Sequence, residues 1–215
     1  MQKLLEGARR FESVGRSRYR RLFRQLAEQG QRPHTLFITC SDSRVVAELV
    51  TDSQPGELFV VKNVGNIVPP AGIVGMTNAT AAAIEFAAEV LRVADIVVCG
   101  HSHCGAINAL LRPAKNRPHL PHLDSWLELA GPVREAIRAR YPNGRVTDEC
   151  LRAAEEMNVL LALENLRAYP KVQARLDEGA LRLHGWLFNI ATGTLLRHDA
   201  VRGRFVSLVN GEPVA

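Results

Sequence analysis

The chain has 215 residues, 47% of them hydrophobic, which predicts one domain over residues 1–215 with one sizeable core. Its four cysteines exclude a dense disulfide framework, and Glu85 and Glu89 interrupt the longest apolar stretch, residues 81–91, which excludes a membrane span. The net charge of +5 is small, and charges among the first residues disfavour a signal peptide, so we expect a soluble cytoplasmic protein.

The positive charge is concentrated in residues 1–30, where arginines are interleaved with apolar residues at roughly helical spacing. This pattern predicts an amphipathic helical arm with a solvated arginine face. Binding of nucleic acid or of a membrane surface is the less favoured alternative, so neither is expected as a partner. The arginines are Arg9, Arg10, Arg16, Arg18, Arg20, Arg21 and Arg24.

Three short apolar runs, residues 35–39, 58–61 and 96–99, predict buried parallel strands. Each run is followed at once by a polar motif: CSDSR after the first, KNVGN after the second and GHSHCGA after the third. Ligands of open α/β sheets bind beyond the carboxyl ends of the parallel strands. The sequence therefore predicts a functional site at that edge of the sheet.

Helices and a hairpin follow from the remaining patterns. The segments that predict helices are residues 77–91, which would cross back over the sheet to a parallel strand, 123–140 and 147–169. Residues 112–123 predict a surface loop, and residues 181–190 and 194–198, joined by the turn ATG, predict a hairpin. The expected fold class is α/β: a mainly parallel central sheet flanked by helices, with an N-terminal helical arm and a C-terminal β-hairpin.

Cys40, His101 and Cys104 are the strongest candidates for metal ligands. Two thiolates and one imidazole suit a tetrahedral zinc ion, and three ligands leave a fourth position for water, as in catalytic sites. The H-x-x-C spacing lets His101 and Cys104 approach one ion from the same turn more naturally than the competing His103 would. The alternative is that the cysteines are small buried residues and that the histidines are hydrogen-bonded polar groups.

Asp42 and Arg44 follow Cys40 in the pattern C-x-D-x-R. They lie on one side of an extended turn, close enough to form a bidentate ion pair. The alternative is a structural salt bridge, which would be preferred if no set of metal ligands lay nearby.

The combination of CSDSR, KNVGNIVPP, GHSHCGA and HGW resembles the β-class carbonic anhydrases, particularly the plant-like bacterial members found beside cyanate-degrading enzymes. The resemblance implies reversible hydration of carbon dioxide to bicarbonate and a proton by a zinc-bound hydroxide. It also implies one Zn²⁺ per chain, held by Cys40, His101 and Cys104. Asp42 and Arg44 would form the catalytic dyad, and Asp42 would ligate zinc only in a closed form of the site.

The resemblance also implies a substrate pocket and an assembly. The pocket residues would be Gln31, Phe59, Val64, Phe86 and Gly105. The glutamine would hydrogen-bond substrate, the two phenylalanines and the valine would form an apolar wall, and the glycine would offer its backbone next to a ligand. We expect a homo-oligomer built from dimers, a homodimer, a homotetramer or an octamer, with the pocket at a subunit boundary and the helical arms wrapped over the partner.

Some members of this family bind bicarbonate in a second pocket of Trp, Arg and Tyr, which favours the closed form. The matching positions here are Phe37, Lys62 and Phe188. They lack the indole donor, the planar guanidinium and the phenol hydroxyl, respectively. We therefore predict an open site at neutral pH, in which Asp42 stays paired with Arg44.

Two other functions fit parts of the sequence. A zinc-dependent hydrolase of carbon disulfide or carbonyl sulfide would carry the same motifs, because a zinc hydroxide can attack either linear molecule. A non-catalytic zinc protein could bind an acidic partner through its arginine-rich arm. Such a protein would need no dyad, so Asp42 and Arg44 disfavour it.

Overall fold

Six β-strands form one sheet in the part of the chain that the computed structural model describes, residues 1–72, 77–112 and 119–212. They are β1 (Thr35–Cys40), β2 (Leu58–Asn63), β3 (Asp95–His101), β4 (Arg182–Asn189), β5 (Thr194–Asp199) and β6 (Arg204–Ser207). Their order across the sheet is β2-β1-β3-β4-β5-β6, in which β1 to β4 are parallel and β5 and β6 are antiparallel. The predicted fold class is confirmed, and β6 adds a strand beyond the predicted hairpin.

The two central strands of the predicted site, β1 and β3, are adjacent and buried. All residues of β1 are buried, and so are all residues of β3 except the first. Strands that are covered on both faces read as continuous apolar runs, which is why residues 35–39 and 96–99 predict them. Since β3 pairs with β1 and not with β2, the chain passes across β1 on its way from β2 to β3.

Nine α-helices lie among the described residues. They are α1 (Gln2–Arg10), α2 (Arg16–Gln29), α3 (Ala47–Thr51), α4 (Ala79–Glu85), α5 (Gly105–Leu111), α6 (Pro121–Glu128), α7 (Gly131–Arg140), α8 (Asp148–Arg167) and α9 (Pro170–Asp177). Helix α8 matches the prediction for residues 147–169, and its first turn is capped by the Thr147 hydroxyl, which accepts the Cys150 N–H at 3.2 Å. Helices α3, α5 and α9 have no counterpart in the sequence-based prediction.

The other predicted helices are present, but their bounds differ from the prediction. The predicted helix at residues 77–91 is α4 followed by a π-helical turn, Phe86–Val90. The predicted helix at residues 123–140 is divided into α6 and α7, because each of these helices has a proline within its first two residues, which favours a helix start. Helix α6 also begins inside the predicted loop, of which residues 113–118 lie outside the described part of the chain.

The predicted N-terminal arm is present as α1 and α2, joined by a π-helical turn, Phe11–Gly15. No residue of these elements is buried. Large apolar side chains of the arm are exposed within one chain, namely Leu4, Leu5, Phe11, Val14 and Phe23. Across the described residues, no helix combines the length and the apolar character needed to cross a membrane.

Two strand glycines let α8 lie close to the sheet. A Cβ atom on Gly100 of β3 would come within 2.8 Å of Val159 Cγ2, and one on Gly185 of β4 would come within 3.0 Å of Val159 Cγ1. These distances are shorter than an ordinary carbon–carbon contact, so a larger residue would push the helix away. Because Gly100 directly precedes His101, this packing holds α8 next to the predicted site.

Candidate metal centre

The three predicted ligands meet at the carboxyl ends of β1 and β3. Cys40 is the last residue of β1, His101 is the last residue of β3, and Cys104 directly precedes α5. Their ligand atoms all lie within 4.8 Å of one another, and all three residues are buried. The arrangement arises because β1 and β3 are parallel neighbours, so their ends lie at the same edge of the sheet.

The imidazole of His101 is oriented for metal binding. Its Nδ1 lies 3.0 Å from the Ser102 carbonyl oxygen, a partner that can only accept, so Nδ1 carries the proton. Its Nε2 is fully buried and has no hydrogen-bond partner among the described residues. A buried nitrogen lone pair without a partner is costly unless an electrophile occupies the position in front of it. His101 therefore fits a metal ligand that binds through Nε2.

The two cysteine sulfurs form a coupled pair. The Gly65 N–H donates to Cys40 Sγ at 3.3 Å. The hydrogen bond from the Cys104 thiol beside it is the main cause that lowers the pKa of Cys40, and the interaction with Cys40 raises the pKa of Cys104. One thiolate is thus stabilised without a metal, and a cation would stabilise the second. Two sulfurs and one imidazole nitrogen are a donor set that fits a tetrahedral zinc ion.

Arg44 holds Asp42 through three donors. The Arg44 backbone N–H and its Nε–H donate to Asp42 Oδ1 at 2.9 Å, and Nη2 donates to Oδ2 at 2.7 Å. The guanidinium hydrogen bonds hold the pKa of the Asp42 carboxyl well below its usual range. Asp42 Oδ2 lies 3.8 Å from His101 Nε2, so the carboxylate borders the ligand cluster. The structure thus contains the predicted bidentate pair.

The loop that carries the dyad is supported by Lys62. Its ammonium group donates to the Asp42 carbonyl at 3.2 Å and to the Val45 carbonyl at 2.7 Å. Phe37 and Phe188, the other two positions of the second bicarbonate pocket, are 1% and 9% exposed and belong to one apolar cluster. Lys62 therefore supports the loop, and Phe37 and Phe188 fill the core.

Two of the predicted substrate-binding residues border the cluster. Gly105 follows Cys104 and begins α5, and Val64 lies next to Gly65, whose N–H contacts Cys40. Val64 is 42% exposed, and its carbonyl accepts a hydrogen bond from Trp126 Nε1 at 2.6 Å. Val64 and Trp126 also line a cavity of about 840 Å³ along β2.

The other three predicted pocket residues do not reach the cluster within one chain. Gln31 is exposed and precedes the amino end of β1, whereas the cluster lies at its carboxyl end. Phe59 and Phe86 contact each other, with ring centroids 5.8 Å apart. Phe59 pairs with Leu36 in the sheet register, and the four residue steps from Leu36 to Cys40 span about 13 Å of strand.

The remaining histidine and cysteine candidates lie outside the cluster. His103, the competing ligand, is exposed and occupies a left-handed backbone conformation with a φ of 54°. Cys99 and Cys150 are buried elsewhere, and burial raises the pKa of the Cys99 thiol to about 12. Neither sulfur belongs to the three-residue ligand cluster.

The structure adds two residues of α8 that the sequence analysis does not identify. Glu155 Oε1 accepts the Cys104 N–H at 2.8 Å, and Asn158 Nδ2 donates to the Gly65 carbonyl at 2.9 Å. Both side chains are buried, and burial raises the pKa of Glu155 to about 7. The only signal in the sequence is that both lie among the apolar residues of a long helix.

Comparisons with known proteins agree with this geometry. The sequence profile of the carbonic anhydrase family matches residues 35–195. A carbonic anhydrase of Pseudomonas aeruginosa is 42% identical over 223 residues, which cover 99% of this chain and 98% of that protein. The solved β-carbonic anhydrase CcaA shares 40% identity and a TM-score of 0.91 over 96% of this chain and 98% of that one. A tetrameric β-carbonic anhydrase of the fungus Sordaria macrospora shares 30% identity and a TM-score of 0.79 over 91% of this chain and 95% of that one. The chain therefore belongs to the β-class carbonic anhydrases, a family that uses zinc.

Proposed function

We propose that the chain catalyses the reversible hydration of carbon dioxide to bicarbonate and a proton, with one zinc ion held by Cys40, His101 and Cys104. The observation that carries this proposal is a three-residue metal cluster with an ionised carboxylate, Asp42, at its border. A structural zinc site needs four protein ligands and no dyad, whereas a catalytic one keeps a position open.

Zinc, when bound, supplies Lewis acidity that makes a nucleophile available from water near neutral pH. Asp42 would accept a hydrogen bond from the attacking water, because its carboxylate borders the cluster and stays ionised beside Arg44. Arg44 keeps Asp42 in an acceptor geometry and prevents it from turning toward the cluster. Val64, an apolar side chain at the same edge, offers carbon dioxide a surface on which water does not compete.

The pocket is completed, in this proposal, by a second copy of the chain. Gln31, Phe59 and Phe86 lie away from the cluster of their own chain, and Phe86 is 39% exposed. The exposed apolar side chains of the arm are further surface for a partner to cover. A homo-oligomer built from dimers is therefore proposed, and the Sordaria macrospora relative is a tetramer.

A reducing, cytoplasmic location is part of the same proposal, because two of the ligands are thiols that oxidation would remove. The comparisons favour carbonic anhydrase over the alternative hydrolase of carbon disulfide or carbonyl sulfide.

Stopped-flow hydration of carbon dioxide tests the proposed activity, measured before chelation, after chelation and after zinc is restored. We expect activity to disappear with the metal and to return with it. Full activity in the zinc-free protein, or faster turnover of carbon disulfide than of carbon dioxide, would contradict the proposal. Light scattering on the same sample tests the assembly, since a fully active monomer would exclude a pocket shared between subunits.

A further inference from the structure

Glu155 is a buried carboxylate that the proposed reaction does not use directly. It lies on α8, its residue is 3% exposed, and it forms no salt bridge with a lysine or arginine in the part of the chain described. Burying a carboxylate without a cationic partner costs stability. Such a group is retained where it does something that an apolar residue in its place could not do.

The carboxylate of Glu155 binds the turn that joins two proposed zinc ligands. Its Oε1 accepts the Cys104 N–H at 2.8 Å, and the His103 backbone also interacts with it. His103 has a φ of 54°, a left-handed conformation that occurs in turns whose backbone N–H groups form a concave anion site. The acceptor in that site is the carboxyl group of Glu155, so α8 sets the shape of the His101–Cys104 turn.

The next polar residue on the same face of α8 acts on the other sulfur ligand. Asn158 lies three residues after Glu155, on the same side of the helix. Its amide donates to the Gly65 carbonyl at 2.9 Å, and the Gly65 N–H donates to Cys40 Sγ at 3.3 Å. A side chain at Gly65 would be strained, since φ there is 82° and a Cβ would lie 3.0 Å from Ala106. One face of α8 thus binds the backbone next to both sulfur ligands: Glu155 binds the Cys104 N–H, and Asn158 binds the carbonyl of Gly65, whose N–H donates to Cys40.

We propose that Glu155 is a positioning residue for the metal centre: it holds Cys104 at the spacing that zinc requires, through the backbone of the His101–Cys104 turn. This inference rests on the proposed function, because it presumes zinc at the cluster. It does not depend on the protonation state of Glu155, since either form of the carboxyl group can accept an N–H hydrogen bond.

The test compares Glu155→Gln and Glu155→Ala with Glu156→Gln and Glu156→Ala. Glu156 is a matched control: it neighbours Glu155 on α8 and is partly buried, but its charged partner is Arg152, at 4.0 Å. The first measurement is the rate at which zinc passes from the loaded protein to a coloured chelator. The second is the difference in melting temperature between the zinc-loaded and the zinc-stripped protein.

We expect Glu155→Ala to release zinc about 10-fold to 100-fold faster than wild type, the range seen when a residue behind a metal ligand is removed. The rate of zinc release from Glu155→Gln should lie between those of wild type and Glu155→Ala. The amide oxygen of the glutamine can accept one N–H, but its NH₂ group faces other donors. Both variants should narrow the melting difference between loaded and stripped protein, because zinc that binds more weakly adds less stability to the loaded form. The Glu156 variants should behave as wild type.

Wild-type zinc release from both Glu155 variants would overturn the inference. So would an equal loss of melting temperature with and without zinc, or failure of both variants to fold even in excess zinc, because either result assigns Glu155 to the fold alone. Failure of the proposed function looks different: the wild-type protein would then hold no zinc, and zinc would not change its melting temperature.

Discussion

Replacement of Asp42 by asparagine is the sharpest test of the proposed dyad. The carboxylate accepts three hydrogen bonds from Arg44, two at Oδ1 and one at Oδ2. An asparagine whose oxygen replaces Oδ1 keeps two of them, and its NH₂ group then faces Nη2 across a gap that is 2.7 Å in the wild type. Donor would face donor there, and the oxygen that borders the cluster would be lost.

We expect kcat for carbon dioxide hydration to fall about 100-fold in Asp42→Asn, the scale on which removal of one positioned hydrogen-bonding group acts. Arg44→Ala should produce a loss of similar size, because the remaining carboxylate is free to turn toward the cluster. Zinc content should stay near that of wild type in both variants, since neither residue belongs to the three-ligand cluster.

The double variant decides whether the two residues act as one unit. If Arg44 works only through Asp42, the double variant should lose about 100-fold, the same as either single variant. Stopped-flow rates normalised to zinc content provide the measurement. A loss of about 10,000-fold, the product of two independent effects, would refute the reasoning. Loss of zinc in Asp42→Asn would refute it as well, because the carboxylate would then be needed to hold the ion.

Three further outcomes follow from the same geometry. Cys40→Ala should abolish zinc binding measured by elemental analysis, whereas Cys99→Ala should retain about one zinc per chain, because only the first sulfur belongs to the cluster. Bicarbonate should inhibit without cooperativity in steady-state assays, because Lys62 is engaged by two carbonyl groups, and a steep sigmoidal response would contradict this. Hydrogen bonds from Arg182 and, to a lesser extent, His184 lower the pKa of Asp95 in the folded protein. The ionised Asp95 therefore stabilises the fold at pH values above the carboxyl's unfolded pKa of about 4, and this stabilisation is lost as the pH falls through the lower folded pKa. The melting temperature of Asp95→Asn should therefore lie further below that of wild type at pH 6 than at pH 3, and an equal gap at both would exclude the effect.

The sequence alone determines the strands that carry the site and the residues at their ends. Residues 35–39 and 96–99 are continuous apolar runs, and such runs form strands only where both faces of a sheet are covered. The motifs CSDSR and GHSHCGA begin where these runs end, so parallel pairing brings Cys40, His101 and Cys104 together. These predictions succeed because they depend on local spacing and on the common direction of neighbouring strands.

Tertiary structure alone decides which residues support that site. Glu155 and Glu156 are adjacent and chemically identical in the sequence, and successive residues of a helix point in directions about 100° apart. The rotation of α8 that turns Glu155 toward the Cys104 N–H is set by its contact with distant strand glycines such as Gly100. The position of Phe59 is also decided by tertiary structure. Phe59 precedes the motif KNVGN by only a few residues in the sequence, but in the sheet it pairs with Leu36, several residues along β1 from Cys40. Such placements arise from contacts between segments far apart in the chain, and local spacing carries no information about them.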